Sequence, residues 1–401
     1  MRRTARVVLA VAALAAATGC AGAGPSGTDA LVVVSVPTSA EQWVARFAER
    51  GAKLAADELN AKGGIEYGGR KHKVVVQVLD NGGSPQQAAS IARTAVARRA
   101  VALITDGTGA EAVAAVSGPA ALPVFVVFEG GEGFIDPDRR PTLFRLAPAN
   151  RPMATRLADY VSEKRPTVAL LTDDSSYGRD GRSSLQAAFR RDELALTADV
   201  VVPASATDLA PAVARARRGG ADTLVVWARA SVVAEAVRAV RSTGWDAALY
   251  TGPSGEDPLV RQRLAAHPEW VDGLTFVSFR VTSETGPAPF AAYRKAYVSK
   301  YGEEKLGFGD VLVPPDWSMF SYDATRLVAA ALKKAGAPGA ALMRALDDTV
   351  ITGANGDERG YSPSDREGVV PDDMYFGRFK GLRYAPVTDD LLSTNLPEVP
   401  Q

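Results

Sequence analysis

Three groups of residues in this chain have types and spacings suited to chemistry. The first is Gly107-Thr108-Gly109-Ala110-Glu111-Ala112, which follows the apolar run 101–105. It spells Gly-x-Gly-x-x-Ala, a loop whose glycines let backbone N–H groups approach a pyrophosphate at a helix start. Glu129 ends the next apolar run, where an acid that binds ribose hydroxyls belongs. On these residues alone an NAD-dependent oxidoreductase is a fair reading. Against it, the motif opens the third strand–helix unit, whereas a dinucleotide fingerprint normally opens the first. The second group is the loops that follow apolar runs, at 37–42, 106–109, 129–131, 173–177, 228–231 and 252–256. They mix charged and hydroxyl residues with glycines, a combination suited to holding a small polar solute. The third is Cys20, the only thiol.

Other chemistries are poorly served. His72 stands in a basic turn and His267 precedes Pro268, 195 positions away. With these two histidines and one cysteine, neither a structural zinc site nor an internal disulfide is expected. No Gly-x-Ser-x-Gly elbow occurs, so Ser/His hydrolysis is not indicated. Asp173-Asp174 and Asp372-Asp373 read as a strand-end loop and a solvated run rather than as metal ligands. No catalytic residue, metal or cofactor is therefore assigned. The 401 residues contain 46 Lys+Arg and 46 Asp+Glu. Residues 1–19 hold three of the Arg and no acid, leaving 43 basic residues against 46 acidic ones. That balance has no surplus to neutralise phosphates, and nucleic acid is not an expected partner.

At the N-terminus, Arg2, Arg3 and Arg6 precede the uncharged stretch 7–17. Its eleven residues are too few to span a hydrocarbon core of ~30 Å, but they suit the apolar centre of an export signal. Ala17-Thr18-Gly19-Cys20, followed by a Gly/Ser/Pro-rich stretch, resembles the lipobox of bacterial lipoproteins, with Ala17 where Leu is commoner. The resemblance implies a signal peptide at 1–19, lipidation at Cys20 and a flexible tether at 20–30. It also implies anchoring to the outer face of the bacterial cytoplasmic membrane. An export signal counts further against NAD chemistry.

The candidate loops need elements to position them. Continuous apolar runs predict strands at 31–36, 74–79, 101–105, 124–128, 168–171, 200–202, 223–227, 248–251 and 274–277. Such runs, rather than alternating ones, suit parallel strands covered on both faces. Amphipathic stretches predict helices between them, beginning with 43–61, where Val44, Phe47, Ala48, Gly51, Leu54, Ala55 and Leu59 form one stripe. Strand–helix alternation on this length predicts an α/β fold with two doubly wound parallel-sheet lobes. The chain is expected to cross between lobes near 146–150, 271–279 and 350–353. That assigns 31–148 and 274–350 to the first lobe, and 149–273 and 351–390 to the second.

Certain segments carry a family resemblance in order. They are Gln42-Trp43, the helix end running through Asp57-Glu58-Leu59-Asn60-Ala61-Lys62-Gly63-Gly64-Ile65, and Gly68-Gly69-Arg70. Thr172-Asp173-Asp174-Ser175-Ser176-Tyr177-Gly178, Arg241-Ser242-Thr243-Gly244 and Thr251-Gly252-Pro253-Ser254-Gly255 follow, then Tyr322-Asp323-Ala324 and Gly353-Ala354-Asn355-Gly356. Together they resemble the branched-chain amino-acid-type (type I periplasmic) solute-binding proteins of ABC importers, in lipoprotein form. The resemblance implies two lobes joined by three crossing segments, with a solute trapped between them and passed to an ABC permease. A sensing lipoprotein of the same fold, without transport, is the alternative. Trp43 at a helix start and Tyr177 on the second lobe match positions where relatives place an aromatic against the ligand. Asp106 and Thr108, then Glu129 and Gly130, fall at the first lobe's ligand loops. Trp227 and Arg229 fall at a second-lobe strand end, where an aromatic is common and Arg could pair with a carboxylate. Ser254 stands where amino-acid-binding members carry an acid for the ligand ammonium. That departure disfavours a standard α-amino acid, unless Asp106, Glu129 or Glu256 supplies the charge.

Overall fold

The computed structural model describes residues 29–40, 42–279, 288–306, 311–313, 315–369, 374–385 and 387–390. The signal peptide at 1–19, Cys20 and nearly all of the tether lie outside the described residues.

The first sheet contains β1 (Ala30–Val36), β2 (Val74–Asp80), β3 (Ala102–Thr105), β4 (Val124–Val126) and β5 (Leu143–Arg145), all parallel. Their order across the sheet is β2-β1-β3-β4-β5. The second contains β6 (Val168–Asp173), β7 (Leu196–Val202), β8 (Thr223–Trp227), β9 (Ala248–Thr251), β10 (Thr275–Phe279), β11 (Met374–Lys380) and β12 (Arg383–Ala385). Here the order is β12-β11-β10-β9-β8-β6-β7, with only β11 and β12 antiparallel to their neighbours. Both sheets thus begin with the doubly wound 2-1-3-4-5 arrangement, in which strand order reverses beside the first strand. Every residue of β1, β6 and β8 is buried, which explains the continuous apolar runs.

The helices cover both faces: α1 (Gln42–Ala61), α2 (Pro85–Ala97), α3 (Ala110–Ser117), α4 (Asn150–Ser162), α5 (Ser176–Arg191), α6 (Ala210–Arg218), α7 (Ala230–Ser242), α8 (Pro258–Arg263), α9 (Ala288–Tyr301), α10 (Ser318–Ala335) and α11 (Ala340–Leu346). α1 buries Val44, Phe47, Ala48, Leu54 and Ala55 and packs against α10. Polar caps set the starts of α2 and α5. Ser84 Oγ accepts from the Gln87 N–H at the head of α2, and Ser175 Oγ accepts from the Gly178 N–H at the head of α5.

Two of the expected crossings move. Residues 274–277 were expected where the chain returns to the first lobe, but β10 pairs with β9 and β11 inside the second sheet. The return therefore follows Phe279. The stretch after 350, expected in the second lobe, stays against the first. Ala354 N–H donates to Asp323 Oδ1 of α10 (2.9 Å), and Tyr361 packs on Phe144 with ring centroids 4.8 Å apart. Residues 366–368 add an edge to β5, with Arg145 N–H donating to Arg366 O (2.8 Å) and Gly368 N–H to Arg145 O (2.7 Å). The chain is back in the second sheet only at Met374. Polar, glycine-containing text at 350–360 does not show which lobe receives it, yet Arg359 pairs with Asp323 of α10 (3.7 Å).

Candidate functional site

Loops at the carboxyl ends of both sheets line one cleft of about 810 Å³. It sits where strand order reverses, between the β1 and β3 loops of one sheet and the β6 and β8 loops of the other. Open α/β sheets bind ligands at that point, and the volume suits a small molecule.

The first-lobe wall is aromatic. Trp43, in the first turn of α1, lies edge-on to Phe128 (5.4 Å) and to Trp317 (6.5 Å), and Phe128 and Trp317 are 5.1 Å apart. Phe128 follows β4, and Trp317 directly precedes α10, which the packing of α10 on α1 brings beside Trp43. Across the cleft, Tyr177 is half-buried and donates its hydroxyl to Ser254 Oγ (3.4 Å). Burial raises its phenol pKa above the usual tyrosine range.

Trp227 takes a different place from the one expected. It is 0% exposed, belongs to the second-lobe core and stacks behind Tyr177 at 5.3 Å. As an inward residue of the fully buried β8, it supports the cleft wall without forming it. Arg229, two residues on, does reach the cleft and is exposed there. Its backbone N–H donates to Asp173 Oδ2 (2.7 Å), while Asp173 Oδ1 accepts from Ser175 N–H (3.1 Å). The buried Asp173 carboxylate thereby ties the β6 and β8 loops together. Ser254 Oγ donates to Ala228 O (2.6 Å), so this hydroxyl is committed to its own lobe.

The loop after β3 is not an anion cradle. Asp106 is buried; its Oδ1 accepts from Asn81 Nδ2 (2.7 Å) and its Oδ2 from Thr108 Oγ1 (2.5 Å) and Thr108 N–H (3.4 Å). Gly107 N–H donates to Thr105 Oγ1 (3.2 Å). The N–H groups a pyrophosphate would need at Gly107 and Thr108 are already taken, and a buried carboxyl stands among them. The glycines answer to packing: both have positive φ (117° and 64°), and a Cβ at Gly109 would lie 2.6 Å from Pro85 Cα, while one at Gly107 would strike Glu129 Cβ. Desolvation raises the Asp106 carboxyl above the usual aspartate range.

Glu129 N–H donates to Asp106 O (2.7 Å), and Glu129 Oε1 accepts from Gly131 N–H (2.7 Å). Its carboxylate reaches cleft water, but protein surrounds it on most sides, and desolvation raises its pKa despite the nearby Arg145. Gly130 O accepts from Asn150 N–H (2.7 Å) at the first crossing, and a Cβ on Gly130 would lie 2.5 Å from Asn150 Oδ1. Of the nine residues expected to contact ligand, Trp43, Asp106, Thr108, Glu129, Gly130, Tyr177, Arg229 and Ser254 line this cleft, and Trp227 does not. Sequence reasoning missed Phe128, Asn150, Asp316 and Trp317, which line it too. The signal that could have found Trp317 is an aromatic at a helix start, as at Trp43, but α10 begins at Ser318, ahead of its expected start at 322.

Residues 30–383 match the family model for periplasmic binding proteins. The Leu/Ile/Val-binding protein homolog 7 of Brucella abortus (strain 2308) is 24% identical over 358 residues, covering 85% of each chain. Among solved structures, the branched-chain amino acid transporter substrate binding protein LivJ of Streptococcus pneumoniae, in complex with isoleucine, superposes with a TM-score of 0.73. It is 22% identical, with 89% of this chain and 97% of that one covered. A solute binding protein of an ABC transporter from Rhodopseudomonas palustris BisB5, in complex with 3,4-dihydroxybenzoic acid, gives a TM-score of 0.71. It is 19% identical, with 88% and 94% covered. With its two doubly wound sheets, its cleft at their facing switch points and a match over nearly its whole described length, the chain belongs to the periplasmic binding protein family.

Proposed function

We propose that this protein is an extracytoplasmic receptor that captures a small polar solute between its lobes and delivers it to the permease of an ABC importer. The observation that carries this reading is the cleft, lined from both sheets at their switch points and walled by Trp43, Phe128 and Trp317 opposite Tyr177. Nothing in such a site needs covalent chemistry; binding energy is used to desolvate the solute and to join the lobes. A micromolar Kd corresponds to about −8 kcal/mol, which must cover both costs. Aromatic walls supply apolar contact, and Glu129 and Arg229 offer charges of opposite sign on opposite lobes. Relatives that bind isoleucine and 3,4-dihydroxybenzoic acid support a ligand of that size.

The protein is held to the outer face of the cytoplasmic membrane by acyl chains on Cys20. Each buried acyl methylene contributes ~0.8 kcal/mol, so several chains anchor firmly. No helix among the described residues is long and apolar enough to cross a membrane.

A thermal-shift screen of amino acids, amides, nucleosides and aromatic acids tests the receptor function, because a ligand specific to the folded state raises Tm by mass action. At least one class is expected to stabilise the protein, and silence across all four contradicts the reading. Mass spectrometry of the membrane fraction tests the anchor. An acylated N-terminal Cys20 is expected, and an unacylated mature N-terminus elsewhere refutes it.

A further inference from the structure

Beyond Glu129 and Arg229, the cleft contains a pair of carboxyl groups that the proposed function does not use. Glu256 is 4% exposed and belongs to the second lobe, where Ser278 Oγ (2.6 Å) and Tyr384 OH (2.9 Å) donate to it from β10 and β12. Asp316 is 2% exposed and comes from the other side, just ahead of α10, which packs on α1. Both line the cleft, and their carboxyls meet within hydrogen-bonding reach. Asp316 Oδ1 accepts from Trp317 N–H (2.9 Å), while Oδ2 is buried and receives no donor among the described residues. Arg261 lies behind Glu256 and is 1% exposed. Its guanidinium stacks on Phe379 (4.9 Å) and Tyr384 (5.1 Å), and Nη1 donates to Leu382 O (3.1 Å). Its Nε and Nη2 have no acceptor among the described residues, so this buried polar group is incomplete on both the acid and the base side.

We propose that Glu256 and Asp316, one from each lobe, form the subsite for a cationic group of the solute, and that an ammonium enters there in exchange for the proton the two acids share. The argument rests on the cleft being the ligand site, and it adds the solute's charge class.

Two carboxylates in contact in a buried site cannot both be ionised, so one proton stays between them. Desolvation and the neighbouring acid hold Asp316 well above the usual aspartate range, and desolvation raises Glu256 despite Ser278, Tyr384 and Arg261. With that proton present, Glu256, Asp316 and Arg261 sum to zero charge. An ammonium that replaces the proton keeps the sum at zero, whereas an anion would leave a buried surplus of negative charge. An N–H of the ammonium answers Asp316 Oδ2, the one oxygen of the pair without a donor among the described residues. Its other N–H groups can share the remaining lone pairs of the two carboxylates, and the neighbouring Trp317 ring offers a cation–π face. Because the acids come from different lobes, the cation joins the lobes as it binds. Ser254 cannot serve in their place: its hydroxyl is uncharged and already donates to Ala228 O.

The test compares L-isoleucine and putrescine, which carry ammonium groups, with 3-methylpentanoate and 3,4-dihydroxybenzoate, which do not. Thermal shift at pH 7.5 comes first, followed by calorimetry of the binders in buffers of different ionisation heat. Stabilisation by an ammonium-bearing probe alone is expected, with release of up to one proton. Kd should weaken by up to about tenfold for each pH unit below the upper titration of the pair. Asp316→Asn and Glu256→Gln each remove the exchange; both are expected to weaken the binder at least tenfold, abolish proton release and retain a cooperative ligand-free melt. Binding of the amine-free probes alone overturns the cation subsite and leaves the solute receptor standing. An ammonium-bearing binder that releases no proton and binds Asp316→Asn with wild-type affinity also overturns it. No stabilisation by any of the four overturns this assignment, while the wider ligand screen independently decides the receptor reading.

Discussion

Gly252→Ala tests the second-lobe wall with a single methyl group. Gly252 leaves β9 beneath Tyr177, and an added Cβ would lie 2.6 Å from the Tyr177 hydroxyl oxygen and 2.8 and 2.9 Å from Cε3 and Cδ2 of Trp227. Each is about 1 Å short of ordinary contact at ~3.5–4.0 Å. Trp227 cannot yield, because it is 0% exposed and backed by Gly181 of α5. Tyr177 is half-buried and borders the cleft, so it gives way, losing its long hydrogen bond to Ser254 and entering ligand space. Overpacking of this kind costs about 1–3 kcal/mol. At roughly 2–4 °C per kcal/mol, calorimetry should show Tm lower by about 2–12 °C. The ligand found by the screen should bind at least tenfold more weakly, which is ~1.4 kcal/mol. Tyr177→Phe removes the atom nearest the new methyl, so Gly252→Ala should cost less in that background, by about 0.5 kcal/mol or more. Unchanged Tm and affinity in Gly252→Ala would refute the placement of Tyr177 and Trp227.

Other expectations follow from the same geometry. Trp43→Ala and Trp317→Ala should each weaken ligand binding about tenfold or more in calorimetry with little loss of Tm, since both rings are only partly buried and face the cleft. Arg145→Ala should destabilise the fold by about 3 kcal/mol in urea titration, because the buried guanidinium pairs with Glu367 (Nε to Oε2, 2.7 Å) and donates to Gly131 O (2.6 Å). The loss of that anchor at Gly131 should also weaken ligand binding. Asp323 is buried beside Arg359 and Arg326, and desolvation raises its pKa to about 7. The folded state then holds a proton that the unfolded state releases, so this group stabilises at low pH, and its contribution is lost as pH rises from about 4 through about 7. In Asp323→Asn, Tm measured between pH 4 and 7 should lose that fall; an unchanged slope would contradict it.

Much of this architecture was legible because parallel strands buried on both faces write themselves as short continuous apolar runs, as in β1 and β8. The strands β11 and β12 went unread. They lie near the chain end, as antiparallel additions whose pairing depends on β10, far away in sequence. The crossings were misplaced for a related reason: apolar text at 274–277 and polar text at 350–360 do not say which sheet will receive them. Strand-end position identified most of the cleft lining, because the carboxyl end of a parallel strand faces the cleft whatever the sequence around it. Position alone could not tell Trp227 from Arg229, neighbours whose side chains go to the core and to the cleft. Nor could it bring Trp317 to Trp43 or Asp316 to Glu256, which depends on how α10 packs.

The central claim is that solute joins two separately folded lobes, and small-angle X-ray scattering tests it most directly. Wild-type protein is measured without and with saturating amounts of the ligand that gives the largest thermal shift. The account predicts a smaller radius of gyration on saturation, with no change in molecular mass. An identical scattering profile at full occupancy would contradict it.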